Sequence, residues 1–134
     1  MQEKPPKALV HPTPEKLASL SKGKDAENWA LQLLEQHGLT LIAQNHRYHC
    51  GEIDLVMAHG TTAVIVEVRL RTNQSHGTAL DNISAQKQAR VTRCAKLWWV
   101  QQGQRQFTHL RFDVVAVNHQ HDMQWVQNAW QLGY

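Results

Sequence analysis

The chain has 134 residues, enough for one domain with a real core and too few for two ordinary ones. No run approaches the roughly 20 apolar residues that a membrane-spanning helix needs, and the opening Met1-Gln2-Glu3-Lys4-Pro5-Pro6-Lys7 is too polar for a secretory signal. A cytoplasmic protein without a membrane partner is expected. Its two cysteines, Cys50 and Cys94, make no disulfide framework and read as buried structural thiols.

All four prolines fall before residue 15, so residues 1–20 read as a poorly ordered segment. A short helix can start within it at Thr13-Pro14-Glu15. Residues 21–134 form the single folded domain. From Lys24 to His37, Ala26, Ala30, Leu33 and Leu34 recur at helical spacing with Trp29 beside them, and Gly38 supplies the stop. Residues 39–48, 52–58 and 62–70 read as three strands of a meander, with Gly51 and His59-Gly60 as turns.

After a polar loop through residues 73–77, residues 84–102 lack proline and glycine and predict a long helix. Its core side is expected to carry Ala85, Ala89, Cys94, Ala95 and Trp98. Residues 111–117 follow as a buried strand, and a tail through Trp125 and Trp130 packs back on the domain. A strand-helix-strand crossover is right-handed, so the last strand lies parallel to one of the meander. The expected fold is α/β, with a mixed central sheet of an antiparallel meander plus one parallel strand, flanked by helices.

The chemistry concentrates in Gly51-Glu52-Ile53-Asp54-Leu55-Val56 and Val66-Glu67-Val68-Arg69. Carboxylates among branched apolar residues are costly to bury alone, and a divalent cation relieves that cost. Side chains alternate along strands, so Glu52 and Asp54 share one face while Glu67, Arg69 and Arg71 share one face of the next strand. With His59-Gly60 as a two-residue turn, Glu52 opposes Glu67 and Asp54 is the diagonal neighbour of Glu67. Oxygen ligands so placed suit Mg²⁺ or Mn²⁺ and hydrolysis of a phosphodiester. On spacing alone a second reading stays open, in which these acids form exposed salt bridges with Arg47, Arg69 and Arg71.

The net charge of +3 is unevenly spread. Between Arg69 and Arg111 eight basic residues face Asp81 alone, a local net of +7. This suggests a polyanionic partner, with nucleic acid the commonest one. Lys87, Arg90, Arg93 and Lys96 recur every third residue on the long helix, a band able to meet successive phosphates. His46-x-x-His49-Cys50 with Cys94 lacks the paired spacing of a zinc site. Trp98 and Trp99 differ by about 100° on the helix, so one is expected to be partly exposed. Asp113 is read as the ion-pair partner of Arg111 or of a basic helix neighbour.

The ordered set Gly23-x-x-Ala26-Glu27, Asn45-x-Arg47, Gly51-Glu52-Ile53-Asp54-Leu55, Val66-Glu67-Val68-Arg69-x-Arg71, Lys87, Arg111-Phe112-Asp113-Val114-Val115 and Asn128-Ala129 resembles the YraN family of small bacterial proteins. That family's fold is restriction-endonuclease-like and related to archaeal Holliday junction resolvases. The resemblance implies a PD-(D/E)-x-K arrangement, with Asp54 and Glu67 binding Mg²⁺ or Mn²⁺ and Glu27 approaching from the first helix. It implies an endonuclease acting on DNA, including branched DNA, and a homodimer by analogy with resolvases.

Arg69 stands where the family usually carries lysine. A guanidinium stays protonated, so it stabilises negative charge or binds phosphate but cannot act as a neutral amine. The catalytic set under this reading is Glu27, Asp54, Glu67 and Arg69, with Arg71, Lys87, Arg90, Arg93 and Lys96 contacting nucleic acid. The alternative is an inactive nucleic-acid-binding or protein-assembly module of the same fold, motivated by Arg69.

Overall fold

The computed structural model describes residues 24–72, 77–118, 120 and 122–132. The segment expected over residues 1–20, its short helix and most of the loop after the third strand lie outside the described residues. Helix α1 spans Lys24–Gln36 and buries Ala26, Trp29, Ala30 and Leu34, the stripe that its periodicity predicted. It ends where Gly38 takes φ +91°, a conformation that costs a residue without a Cβ least. The amides of His37 and Leu39 close on the Leu34 carbonyl there.

A five-stranded sheet follows in the order β1 (Thr40–Tyr48), β2 (Gly51–His59), β3 (Thr62–Arg71), β4 (His109–Asn118) and β5 (Met123–Val126). Neighbours are antiparallel except β3 and β4, which are parallel and joined through helix α2 (Ala85–Gln101). The expected mixed α/β sheet, with its meander and crossover helix, is therefore present. The last strand, β5, replaces part of what the sequence suggested as a simple tail.

Each face of the sheet packs on one helix. Leu55, Met57, Val64, Val66, Val115 and Val117 meet Trp29, Ala30 and Leu34 of α1. Ile53, Val56, Ala63, Ile65 and Phe112 meet Val91, Cys94, Ala95 and Trp98 of α2. Burial on both faces explains why the central strands read as continuous apolar runs, each fully buried Val, Leu or Ile contributing roughly 1.5–3 kcal/mol.

Two expectations are corrected. The β2–β3 turn is Gly60-Thr61, not His59-Gly60, because His59 pairs with Thr62 and Gly60 takes φ +63° at the first loop position. The register therefore shifts by two, and one step beyond the Leu55–Val66 pair puts Asp54 directly across from Glu67. Ala85 and Ala89 are exposed; the core stripe of α2 is Val91, Cys94, Ala95 and Trp98. At about 100° per residue, Ala89 points opposite Trp98.

The C-terminal segment packs back as expected. Trp130 stacks on Phe112 with ring centroids 4.8 Å apart and donates from Nε1 to Thr92 Oγ1 at 2.9 Å. Trp98 is buried and Trp99 half-buried, in keeping with their angular separation. Gly103 makes room for Trp98: a Cβ there would lie 2.4 Å from Cζ3 of the indole.

Candidate functional site

The site forms where the β2–β3 ladder opens. Beyond Leu55–Val66 the two strands are joined through side chains instead of backbone pairs. The Asp54 amide donates to Glu67 Oε2 at 3.4 Å, and the Val68 amide donates to Asp54 Oδ2 at 2.9 Å. Each carboxylate thus fills a gap that a ladder carbonyl would otherwise fill. Glu67 is 1 % exposed.

On the other edge of β2 the chain also departs from regular pairing. Asn45, opposite Asp54, has φ +54°, a left-handed conformation that asparagine tolerates better than most residues. The side chains of Asn45 and Gln44 are close enough to Glu27 to favour its charged form. Gln44 Nε2 also donates to Asn28 Oδ1 at 2.9 Å. Together these contacts hold the first turns of α1 over the opened edge.

The result is a cluster of three acids. Glu27, Glu52 and Asp54 each present a carboxylate oxygen, and these oxygens lie within 4.8 Å of one another. Glu27 Oε1 is buried without a hydrogen-bond partner. Glu52 is also held from behind by Arg47, whose Nη2 lies 3.0 Å from Oε2. The cross-strand salt bridge that the sequence left open exists at this one position and does not remove Glu52 from the cluster.

The cluster's electrostatics follow from crowding and burial. Burial, and then the Asp54 charge, push Glu27 from 4.5 up to about 7, against the side chains of Asn45 and Gln44. Burial likewise raises Asp54, opposed by the Val68 amide and by the charges of Lys87 and Arg69. Glu67 is pushed up to about 8 by burial and by Asp54, with Lys87 pulling the other way.

Lys87 enters from α2. Its Nζ lies 3.5 Å from Glu67 Oε1, and its side chain is 32 % exposed, open to solvent on one side. Ser84 caps the helix by accepting from the Lys87 amide at 3.1 Å, which fixes this first turn. The sequence assigned Lys87 to a phosphate-contacting band. It also continues the core stripe, four residues before Val91 and seven before Cys94.

The other basic residues are placed differently. Arg69 is exposed beyond Glu67, and its charge lowers Asp54. Arg90, Arg93 and Lys96 are exposed along α2. Arg71 is committed within the fold, donating from Nη1 to Gln124 Oε1 at 2.6 Å and from Nη2 to the Gly77 carbonyl. Asp113 stays apart from the cluster and pairs with Arg111, as the sequence suggested.

Residues 26–117, from Ala26 beside Glu27 to Val117 within β4, match the profile of the Uncharacterised protein family UPF0102. The chain belongs to UPF0102. The YraN family and UPF0102 are the same family, so the motif-based resemblance holds. A UPF0102 protein of Pseudomonas fluorescens is 44 % identical over 112 residues, covering 83 % of this chain and 93 % of the relative. One from Nitrosomonas eutropha is 41 % identical over 113 residues, covering 84 % and 96 %. One from Vibrio cholerae is 38 % identical over 113 residues, covering 83 % and 93 %.

Sequence reasoning left one member out of this acid cluster: Glu52 shares a strand face with Asp54 but was not among the expected metal ligands, although side-chain periodicity carried the signal. Lys87 and Lys96 are both amines that the long helix can supply, and the structure brings Lys87 to Glu67. Among the described residues, no helix is long and apolar enough to cross a membrane.

Proposed function

We propose that this UPF0102 chain is a cytoplasmic, metal-dependent endonuclease that hydrolyses phosphodiester bonds in DNA, with branched DNA among its substrates. The observation that carries the reading is Glu27, whose Oε1 is buried without a partner and whose carboxylate gathers with those of Asp54 and Glu52. A carboxylate oxygen left without a donor in a crowded acidic site favours a hard divalent cation, so the donor set fits Mg²⁺ or Mn²⁺. Glu27, Glu52 and Asp54, whose oxygens converge, would hold it, with Glu67 beside Asp54 as the further oxygen donor that the family resemblance implies. Such an ion, when bound, acidifies water and offsets charge developing on a phosphate.

The chain's own residues supply the rest. Lys87 brings an ammonium to Glu67, giving the site the amine-bearing side chain that position 69 lacks. Arg69, exposed beside Asp54, is suited to bind the phosphate without proton transfer. Arg90 and Arg93 extend the positive surface along α2, where a nucleic-acid backbone can follow the helix. Two-strand cleavage of a branched substrate would call for a homodimer.

A cleavage assay with Mg²⁺ or Mn²⁺ on linear, single-stranded and four-way-junction DNA tests the reading, with Asp54→Asn as control. Metal-dependent products that disappear in the variant support it; activity that survives in Asp54→Asn sinks this site. The second reading, a binding module without turnover, is favoured by Arg69 in the Glu-x-Arg element. It predicts salt-sensitive DNA binding and no products with either metal. A protein-assembly role would instead use the exposed Leu97 and Val100 of α2, and concentration-dependent size without DNA binding would select it.

A further inference from the structure

The chain's two cysteines lie 44 positions apart in sequence and meet in the fold. Cys50 Sγ and Cys94 Sγ are 2.8 Å apart, closer than two sulfurs in ordinary van der Waals contact. Cys50 is half-buried in the turn between β1 and β2, while Cys94 is fully buried on the core stripe of α2. The turn passes close to the same sulfur: a Cβ built on Gly51 would lie 3.8 Å from Cys94 Sγ, an ordinary contact. Among the described residues, no third histidine, cysteine or acid gathers with the two sulfurs into a metal-ligand set.

We propose that Cys50 and Cys94 are an oxidisable dithiol that a hydroperoxide converts into an intramolecular disulfide, pinning the β1–β2 turn to α2. The approach of the sulfurs carries the inference, because the costly step in forming a long-range disulfide is bringing the partners together, and the fold has already done so. The two thiols also differ in access. An open cleft of about 530 Å³, lined by Arg47, Tyr48, His49, Leu97 and Gln101, borders the turn just before Cys50. Burial, and then contact with Cys50, push the Cys94 thiol up to about 12, so Cys94 does not meet the oxidant as a thiolate.

The order of events follows. The Cys50 sulfur attacks one peroxide oxygen, the O–O bond breaks, the departing oxygen takes the Cys50 proton and leaves as water from hydrogen peroxide or as an alcohol from an organic hydroperoxide, and Cys50 becomes a sulfenic acid. The Cys94 sulfur then attacks the Cys50 sulfur, the S–O bond breaks, and the departing hydroxide takes the Cys94 proton to leave as water. Two thiols and one hydroperoxide give one disulfide and, for hydrogen peroxide, two waters. The crosslink would tie the strand that begins at Gly51 and carries Glu52 and Asp54 to the helix that carries Lys87.

The test treats the reduced full-length protein with hydrogen peroxide and reads intact mass, non-reducing gel mobility and a peptide map. The expected product is a monomer lighter by two hydrogens, with Cys50 and Cys94 peptides joined, Tm raised by roughly 5–10 °C, and full reversal by dithiothreitol. Cys94→Ser should leave a dimedone-trappable sulfenic acid at Cys50, and Cys50→Ser should leave Cys94 as a thiol while the protein stays folded. Mass gain by oxygen without a joined peptide, a dimer linked through Cys50, or two free thiols under conditions that oxidise free cysteine completely would each overturn the proposal. The wild-type mass and map decide it even if a variant fails to fold.

Discussion

Asp113 and Glu67 are the buried charged side chains among the described residues, and they sit on adjacent parallel strands. Asp113 is saturated with donors. Arg111 Nε and Nη2, Trp125 Nε1 and the Asn128 amide all donate to it at 2.9–3.3 Å. Glu67 has the Asp54 amide at 3.4 Å and Lys87 at 3.5 Å, and faces a second carboxylate. One acid is fully engaged by donors and holds β5 and the C-terminal segment on β4. The other is kept short of donors, which is how a site that must accept a ligand differs from one that must only be stable.

The largest expected effect is on activity. Asp54→Asn and Glu67→Gln should each reduce metal-dependent cleavage to background and weaken Mn²⁺ binding in calorimetry, while Asp113→Asn, assayed where it is folded, should leave Mn²⁺ affinity unchanged. Loss of Mn²⁺ affinity in folded Asp113→Asn would break the distinction between the two acids.

Stability should show the reverse order. Asp113→Ala strands a guanidinium, an indole N–H and a backbone amide, and is expected to cost about 3–5 kcal/mol in urea denaturation. Glu67→Gln keeps the shape, needs no counter-charge, and should cost less than about 1 kcal/mol. Equal costs for the two would show that Glu67 is as structural as Asp113.

A pH series sharpens the same contrast. Glu27 and Glu67 have folded values near 7 and 8, above the ordinary 4.5, so folding favours their protonated forms. The stability that they contribute is complete below about 4.5 and is lost as pH rises through 7 and 8. The Tm of metal-free protein should therefore fall between pH 5 and pH 8. Glu27→Gln should flatten part of that fall, and Mg²⁺ or Mn²⁺ should raise Tm most at the alkaline end. A Tm that climbs steadily over this range would contradict the crowding of the acids.

The smallest effect is expected at position 69. Arg69→Lys should change cleavage by less than about tenfold, under 1.4 kcal/mol of barrier, because Lys87 already brings an amine to Glu67. Lys87→Met should cut cleavage far more than Arg69→Lys does. The opposite ranking would return the lysine's role to the strand.

Much of this was legible along the chain. Apolar periodicity located α1 and the central strands, Gly38 located the end of α1, and the proline-free run located α2. Each rests on a local rule that neighbouring residues obey together. The α2 face was misread where Ala85 and Ala89 were counted as core and Val91 was left out. Alanine is at home on either side of a helix, and Val91 gave the better phase.

The sequence by itself determined the family, the α/β order, the two strands that bear the acids, and Arg69 in place of lysine. The expected register put Asp54 and Glu67 on matching faces, and the observed shift of two keeps that side-chain parity, as a shift of one would not. The tertiary structure alone decided that they stand opposite each other, because Gly60, not His59, opens the turn. It alone decided that Glu52 joins Glu27, that Lys87 reaches Glu67, and that Cys50 touches Cys94. These are contacts between elements far apart in sequence. They depend on where the β2–β3 ladder opens and how α2 crosses the sheet, and no local periodicity encodes either.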